Sequence, residues 1–167
     1  GYDRPTSPVT KELAARSVVF RQAIAQYPLT TPSHASILTS RYVRSHGATG
    51  NAVPIHEAAK LLSEVLKEHG YTTAAFVTSP LVGTKYGFDR GFEYFVDKNG
   101  GTFFKASLAD WVGQLRLPRI YWRFRGSDRA TASVLRWLDH GPGKPFFLWV
   151  HQIAPHAPYA PPFAYER

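Results

Sequence analysis

A helical period that stops at a glycine and runs straight into an apolar strand constrains this chain more than any other feature. From His56 to His69, the residues Ala59, Leu62, Val65 and Leu66 recur at helical spacing, and Gly70 stands where a helix end favours positive φ. Glu64 and Glu68 offset Lys60 and Lys67 on the polar side. Tyr71 to Val77 then reads Tyr-Thr-Thr-Ala-Ala-Phe-Val, a strand. A second run, Pro145 to Ile153, is apolar enough for a strand buried on both faces. Helix, glycine and strand make the joint of an α/β unit, so we expect an α/β fold with a largely parallel sheet between helices. The chain of 167 residues suits one core and one domain over 1–167.

The remaining chain reads in shorter pieces. Ser7-Pro8 followed by Lys11 to Ala15 predicts a short helix, and Val18-Val19-Phe20 a strand or extended segment. A helix is expected from Pro32 to about Tyr42, then a loop through Ser45 to Asn51. Ser79 to Gly101 is rich in turn residues. Ser127 or Asp128 can cap a later helix whose apolar residues are Ala132, Leu135, Trp137 and Leu138, ended by Gly141-Pro142-Gly143.

Composition removes several chemistries. With no Cys, disulfides, zinc–thiolate sites and thiol nucleophiles are excluded. The chain also has no Met and reads as a processed or partial product, with no apolar run long enough to span a bilayer. A hydrophobic content of 44% marks a globular protein. The net charge of +8 is read first as a basic surface.

One segment carries chemistry: Tyr27-Pro28-Leu29-Thr30-Thr31-Pro32-Ser33-His34-Ala35-Ser36-Ile37-Leu38-Thr39-Ser40. Pro32 suits the first turn of a helix, and Thr30 and Thr31 sit where N-caps sit. A hydroxyl there feels the helix dipole and free N–H groups that attract anions. Thr30 is therefore either a plain cap or a nucleophile facing a phosphate or sulfate ester.

The pattern Thr30-Thr31-Pro32-Ser33-His34 with Leu38-Thr39-Ser40 resembles the signature of the sulfatase branch of the alkaline phosphatase superfamily. Arg41 to Gly47, Leu66 to Ala74, Tyr86 to Phe92 and Pro145 to Tyr159 resemble further family segments, as does Gly1 to Pro8. There are three departures. Thr30 stands for the Cys or Ser that becomes formylglycine, His34 for the usual Arg, and Ser40 for the usual Gly.

The resemblance implies an alkaline-phosphatase-like fold and a metal-dependent hydrolase of sulfate or phosphate esters acting on an anionic ester. Thr30 is the implied nucleophile and metal contact. His156 is implied to touch the transferred group or leaving oxygen, with His34 one turn from Thr30 as a site contact or a core histidine. His151 points into the cleft or into the core. His46 is read as a structural hydrogen-bonding residue and Lys85 as a solvated one; Thr78 stands nearest to where many sulfatases carry a site Lys.

The divalent ion (Ca, Zn, Mn or Mg) has its other ligands, by the same resemblance, outside this chain. The chain alone is then expected to be inactive. Phosphodiesterase, phosphonate hydrolase or phosphoethanolamine-type transferase chemistry in the same superfamily is the alternative that Thr30 favours. A periplasmic or membrane-associated location follows from the resemblance alone. A reading of another class rests on Arg116, Arg119, Arg123, Arg125 and Arg129 with Tyr121, Trp122 and Phe124, a mix that can bind nucleic acid or an anionic membrane. A domain insertion with wet Arg side chains is the expectation there, with no specific nucleic acid partner.

Overall fold

The computed structural model describes residues 6–97, 127–143 and 145–156. The segments 1–5, 98–126, 144 and 157–167 lie outside the described residues, and with them most of the Arg-rich stretch. In chain order come α1 (Pro8–Ala15), α2 (Thr30–Thr39), α3 (Val43–His46), α4 (Leu62–Glu68), β1 (Thr72–Val77), β2 (Tyr94–Val96), α5 (Ser127–Asp139) and β3 (Phe146–His151).

The three strands form one parallel sheet in the order β2-β1-β3. Thr72 pairs with Phe146 and Val77 with His151, so both strands end together at one edge of the sheet. The period of two then sorts the side chains. Val77, Phe147 and Trp149 join the core built around Ala35 and Leu38 of α2, Leu61 and Phe88. Ala74, Phe76 and Leu148 pack on the opposite face against Val134 and Trp137 of α5. His151, two residues past Trp149, therefore falls on the α2 side. The expected parallel α/β arrangement is present.

Several elements differ from their sequence pattern for local reasons. The helix expected from His56 begins at Leu62. Arg90 explains the delay: its guanidinium donates to the carbonyls of Glu57 (3.0 Å) and Ala59 (2.6 Å), which a helix would need for itself. The Leu61 amide donates instead to the Glu64 carboxylate at 2.7 Å. At the other end Gly70 has φ +79, and the amides of Gly70 and Tyr71 donate to the carbonyls of Lys67 and Leu66.

Helix α2 stops at Thr39, short of Tyr42, because Ser40 turns left-handed with φ 54. That is the position where the family pattern usually has Gly, and the reason is now visible. In α5 the inward residues are Val134 and Trp137, whereas Leu135 is 55% exposed and Ala132 is exposed too. The run Val18-Val19-Phe20 joins no sheet among the described residues; Phe20 and Ile24 are 80% and 83% exposed. No described helix is long and apolar enough to cross a membrane.

Candidate functional site

Thr30 is the first residue of α2 and is half-buried. The chain arrives extended through Leu29 (φ −118, ψ 153), and the Ser33 amide closes the first helical bond on the Leu29 carbonyl at 3.1 Å. Thr30 is thus inside the helix; neither Thr30 nor Thr31 is the cap. The neighbouring Thr31 is fully buried and ties the turn down, its hydroxyl donating to the Leu81 carbonyl at 2.7 Å. The Thr30 hydroxyl makes no hydrogen bond among the described residues.

The cap comes from elsewhere. Asn51 Oδ1 accepts the Thr31 amide proton at 3.0 Å. Only the oxygen of a carboxamide can accept, so Nδ2 with its two protons is left for another partner. Asn51 is exposed, and Nδ2 has no protein acceptor among the described residues. This corrects one expectation. The amides at the start of α2 are largely spoken for: Thr31 gives to Asn51, Ser33 gives to Leu29, and Pro32 has none. Donors for an anion here come mainly from side chains. Asn51 escaped the sequence reading because it lies in a loop 20 residues from Thr31. The only local signal was Gly50-Asn51 as turn chemistry.

His34 lies one helical turn beyond Thr30. Its Nδ1 is 2.8 Å from the Thr30 carbonyl oxygen. A carbonyl can only accept, so Nδ1 carries a proton and neutral His34 presents a bare lone pair at Nε2. Its ring meets His151 edge-on with centroids 4.8 Å apart and Trp149 at 6.2 Å. The period of β3 thus delivers His151 beside α2, and Thr30, His34 and His151 share one neighbourhood. The pair is backed by aromatic rings, since Trp149 also packs on Phe88 (5.8 Å) and Phe92 (6.0 Å).

His151 is held neutral. Burial, and secondarily the charge His34 can carry, lower its pKa from 6.5 to about 4. Its Nδ1 is buried with no hydrogen-bond partner among the described residues. Its backbone is pinned by Thr78, whose amide and hydroxyl donate to the His151 carbonyl at 3.1 and 3.2 Å. The same hydroxyl accepts the Ile153 amide at 2.8 Å. Thr78 is buried and locks the ends of β1 and β3 together.

His156 stands on the exposed turn three residues past Ile153, where its amide donates to the Ile153 carbonyl at 2.8 Å. His46 belongs to the core. Its Nδ1 accepts the Ala48 amide (3.1 Å), so Nε2 carries the proton and donates to Ser36 Oγ at 2.9 Å. Burial lowers its pKa, opposed by nearby carbonyls. Lys85 is exposed, with Nζ 5.7 Å from the Tyr86 ring centre.

The family model for sulfatases matches residues 1–167. The chain belongs to the sulfatase family. This sulfatase-family chain is 26% identical to an N-acetylglucosamine-6-O-sulfatase of Bacteroides thetaiotaomicron over 93% of its own length and 27% of that protein's. It is also 26% identical to the multifunctional alkaline phosphatase superfamily protein PehA of Trinickia caryophylli, over 92% of this chain and 37% of that one. Among solved structures, the phosphonate monoester hydrolase SpPMH from Silicibacter pomeroyi matches with a TM-score of 0.53 and 21% identity. That match covers 80% of this chain and 33% of the neighbour, and it shows the fold. The chain therefore spans little more than a third of these proteins at most.

The divalent ion implied by the family finds no complete site among the described residues. No group of three or more His, Cys, Asp or Glu side chains that could hold a metal occurs among the described residues. Thr30, His34 and His151 offer one hydroxyl and two imidazoles, without the carboxylates that hard divalent ions need.

Proposed function

We propose that this chain carries the nucleophile and the oxyanion-orienting part of an active site that hydrolyses sulfate or phosphate esters. The observation that carries the reading is that the half-buried Thr30 stands between two side-chain contacts, the Asn51 carboxamide on the adjacent Thr31 amide and the His34 ring on the Thr30 carbonyl, with His151 edge-on to His34. Its family membership and its sequence likeness to a sugar sulfatase and to PehA support the reaction class.

In this reading Thr30 Oγ1 attacks the sulfur or phosphorus atom. The bond to the leaving oxygen breaks with its electron pair as the bond to Oγ1 forms, giving a Thr30 ester. Water then attacks the same atom, the bond to Oγ1 breaks, and the hydroxyl is regenerated. Asn51 Nδ2 donates to a non-bridging oxygen whose charge changes along this path. One such donor is worth about 3 kcal/mol of barrier. His34 contacts a second oxygen, and His156 meets the leaving oxygen from the turn beyond β3.

The Thr30 proton needs an acceptor, and none of the described side chains takes it. The described residues hold and orient the ester; they do not activate the nucleophile. The 167-residue chain alone is accordingly proposed to be catalytically silent. Metal-dependent turnover of an aryl sulfate or aryl phosphate by this chain, lost in Thr30→Ala, would overturn that. Oxyanion binding at Thr30 and Asn51, followed by NMR during a sulfate titration, tests the site itself.

A second reading has a specific support. Thr30 bears a methyl group on Cβ, so it cannot be oxidised to the aldehyde that formylglycine requires. Phosphodiester or phosphonate chemistry needs only the hydroxyl. Transfer of the group from Thr30 to an alcohol in place of water shares the first step.

A further inference from the structure

We propose that the chain carries a second binding site, for an uncharged sugar ring, at the end of the sheet away from Thr30. It goes beyond the reading of the Thr30 site and stands independently of it. A cavity of about 630 Å³ opens where β1 and β2 begin and α5 ends, a size that small ligands use. Thr72 and Tyr94 open the two strands, Arg136 and Trp137 lie in the last turn of α5, and His140 follows it. His151, the neighbour of α2, pairs with Val77 at the other end of β1. The length of the strand, about 17 Å, separates the two ends.

The walls select the ligand. Trp137 is met by Phe76, Tyr94 and Phe146 at steep angles of 64°, 63° and 83°, so none of these rings lies flat on it. Tyr94 is 54% exposed. Together they offer an aromatic wall to a flat apolar face. The polar groups beside it carry both signs and are not paired with each other. The Glu93 amide is spent on the Thr73 carbonyl and hydroxyl (3.0 and 3.1 Å), while its exposed carboxylate makes no hydrogen bond or ion pair among the described residues. Arg136 gives Nε to the Ala132 carbonyl and Nη2 to the Ser133 hydroxyl, both at 3.3 Å, and keeps the protons of Nη1. His140 Nδ1 donates to the Arg136 carbonyl at 2.6 Å, which leaves Nε2 for another partner. An anion would meet Glu93 and a cation Arg136, and each is opposed. A neutral ring with several hydroxyls satisfies both, because each hydroxyl can donate to the carboxylate or accept from the guanidinium. A sugar ring joins such hydroxyls to a C–H face that lies against the aromatic wall. A zwitterion also carries both signs and is the competing occupant.

The test is NMR titration of the 167-residue chain with two unsulfated sugars, cellotriose and maltotriose, and with glycine betaine as the zwitterion. Saturable shifts are expected with at least one of the sugars, largest at the Trp137 indole N–H and at Glu93, Tyr94 and His140, with Thr30 and His34 unmoved. Tyr94→Ala and Glu93→Ala are each expected to weaken that binding about tenfold. Both side chains are exposed, so each variant is expected to keep the wild-type melting curve. No saturable shift with either sugar overturns the proposal. So does sugar binding that moves only the residues around Thr30, or that keeps its affinity in both folded variants. Betaine shifts at Trp137 and Tyr94 without sugar shifts overturn it in favour of a zwitterion site. Each of these outcomes leaves the reading of the Thr30 site as it stands, since that reading is tested with sulfate.

Discussion

Asn51 caps the helix that begins at Thr30, its Oδ1 taking the Thr31 amide proton at 3.0 Å from a loop 20 residues away. The cap and the proposed substrate contact are two ends of one carboxamide, so substitutions can separate them. Asn51→Ala removes both and is expected to cost about 1 kcal/mol of stability. Asn51→Asp keeps the acceptor and loses the donor. It should hold the melting temperature while weakening sulfate binding by tenfold or more, about 1.4 kcal/mol. Calorimetry of melting and of binding on both variants checks this; equal sulfate affinity in Asn51→Asp would reduce Asn51 to a cap.

Ser40 ends α2 at φ 54, a conformation that costs a residue with a Cβ about 1 kcal/mol. Ser40→Gly is expected to recover about that much, read as a higher denaturant midpoint with an unchanged slope.

Gly91 sits at φ +76, and a Cβ there would overlap the backbone of Ser63 and Glu64 where α4 begins. Its carbonyl accepts the Thr73 hydroxyl, and the Arg90 carbonyl accepts the Ser63 hydroxyl. Gly91→Ala is expected to destabilise by about 3 kcal/mol or more, through overlap and backbone strain together. Chemical denaturation is the measurement, with Gly70→Ala as a control. Gly70 shares the positive φ (+79) but has open space around it, so only the backbone term is expected there.

Stability should also depend on pH through the buried imidazoles. Unfolded His151 titrates near 6.5 and folded His151 near 4, and His46 shifts in the same direction. Between those values the unfolded chain binds the extra proton. Stability is therefore intact above pH 6.5 and falls as pH drops toward 4. His151→Phe should flatten that decline when urea midpoints are followed across the window.

Much of the fold was legible because it rests on short-range rules. Gly70 ended its helix, and β1 and β3 declared themselves by apolar runs. The errors came from distant partners. Arg90 takes the carbonyls of Glu57 and Ala59 from 31 or more residues away and delays α4 to Leu62. Val134, which the spacing argument passed over, faces the sheet where Leu135 was expected.

The site was legible in part for the same reason. His34 follows Thr30 by one helical turn, so its nearness could be read directly. His151 had two open orientations, and only the pairing of β3 with β1 places it toward α2. Asn51 and Thr78 act through contacts spanning 20 and 73 residues, which no local pattern encodes.

The central claim is that Thr30 and its neighbours hold the oxyanion. Residue-by-residue NMR of the chain during a sulfate titration tests it most directly. The account predicts the largest shifts at Thr30, Thr31, His34, Asn51 and His151, with α5 unmoved. Shifts spread over the Lys and Arg residues of this +8 chain, with Thr30 and Asn51 silent, would contradict it.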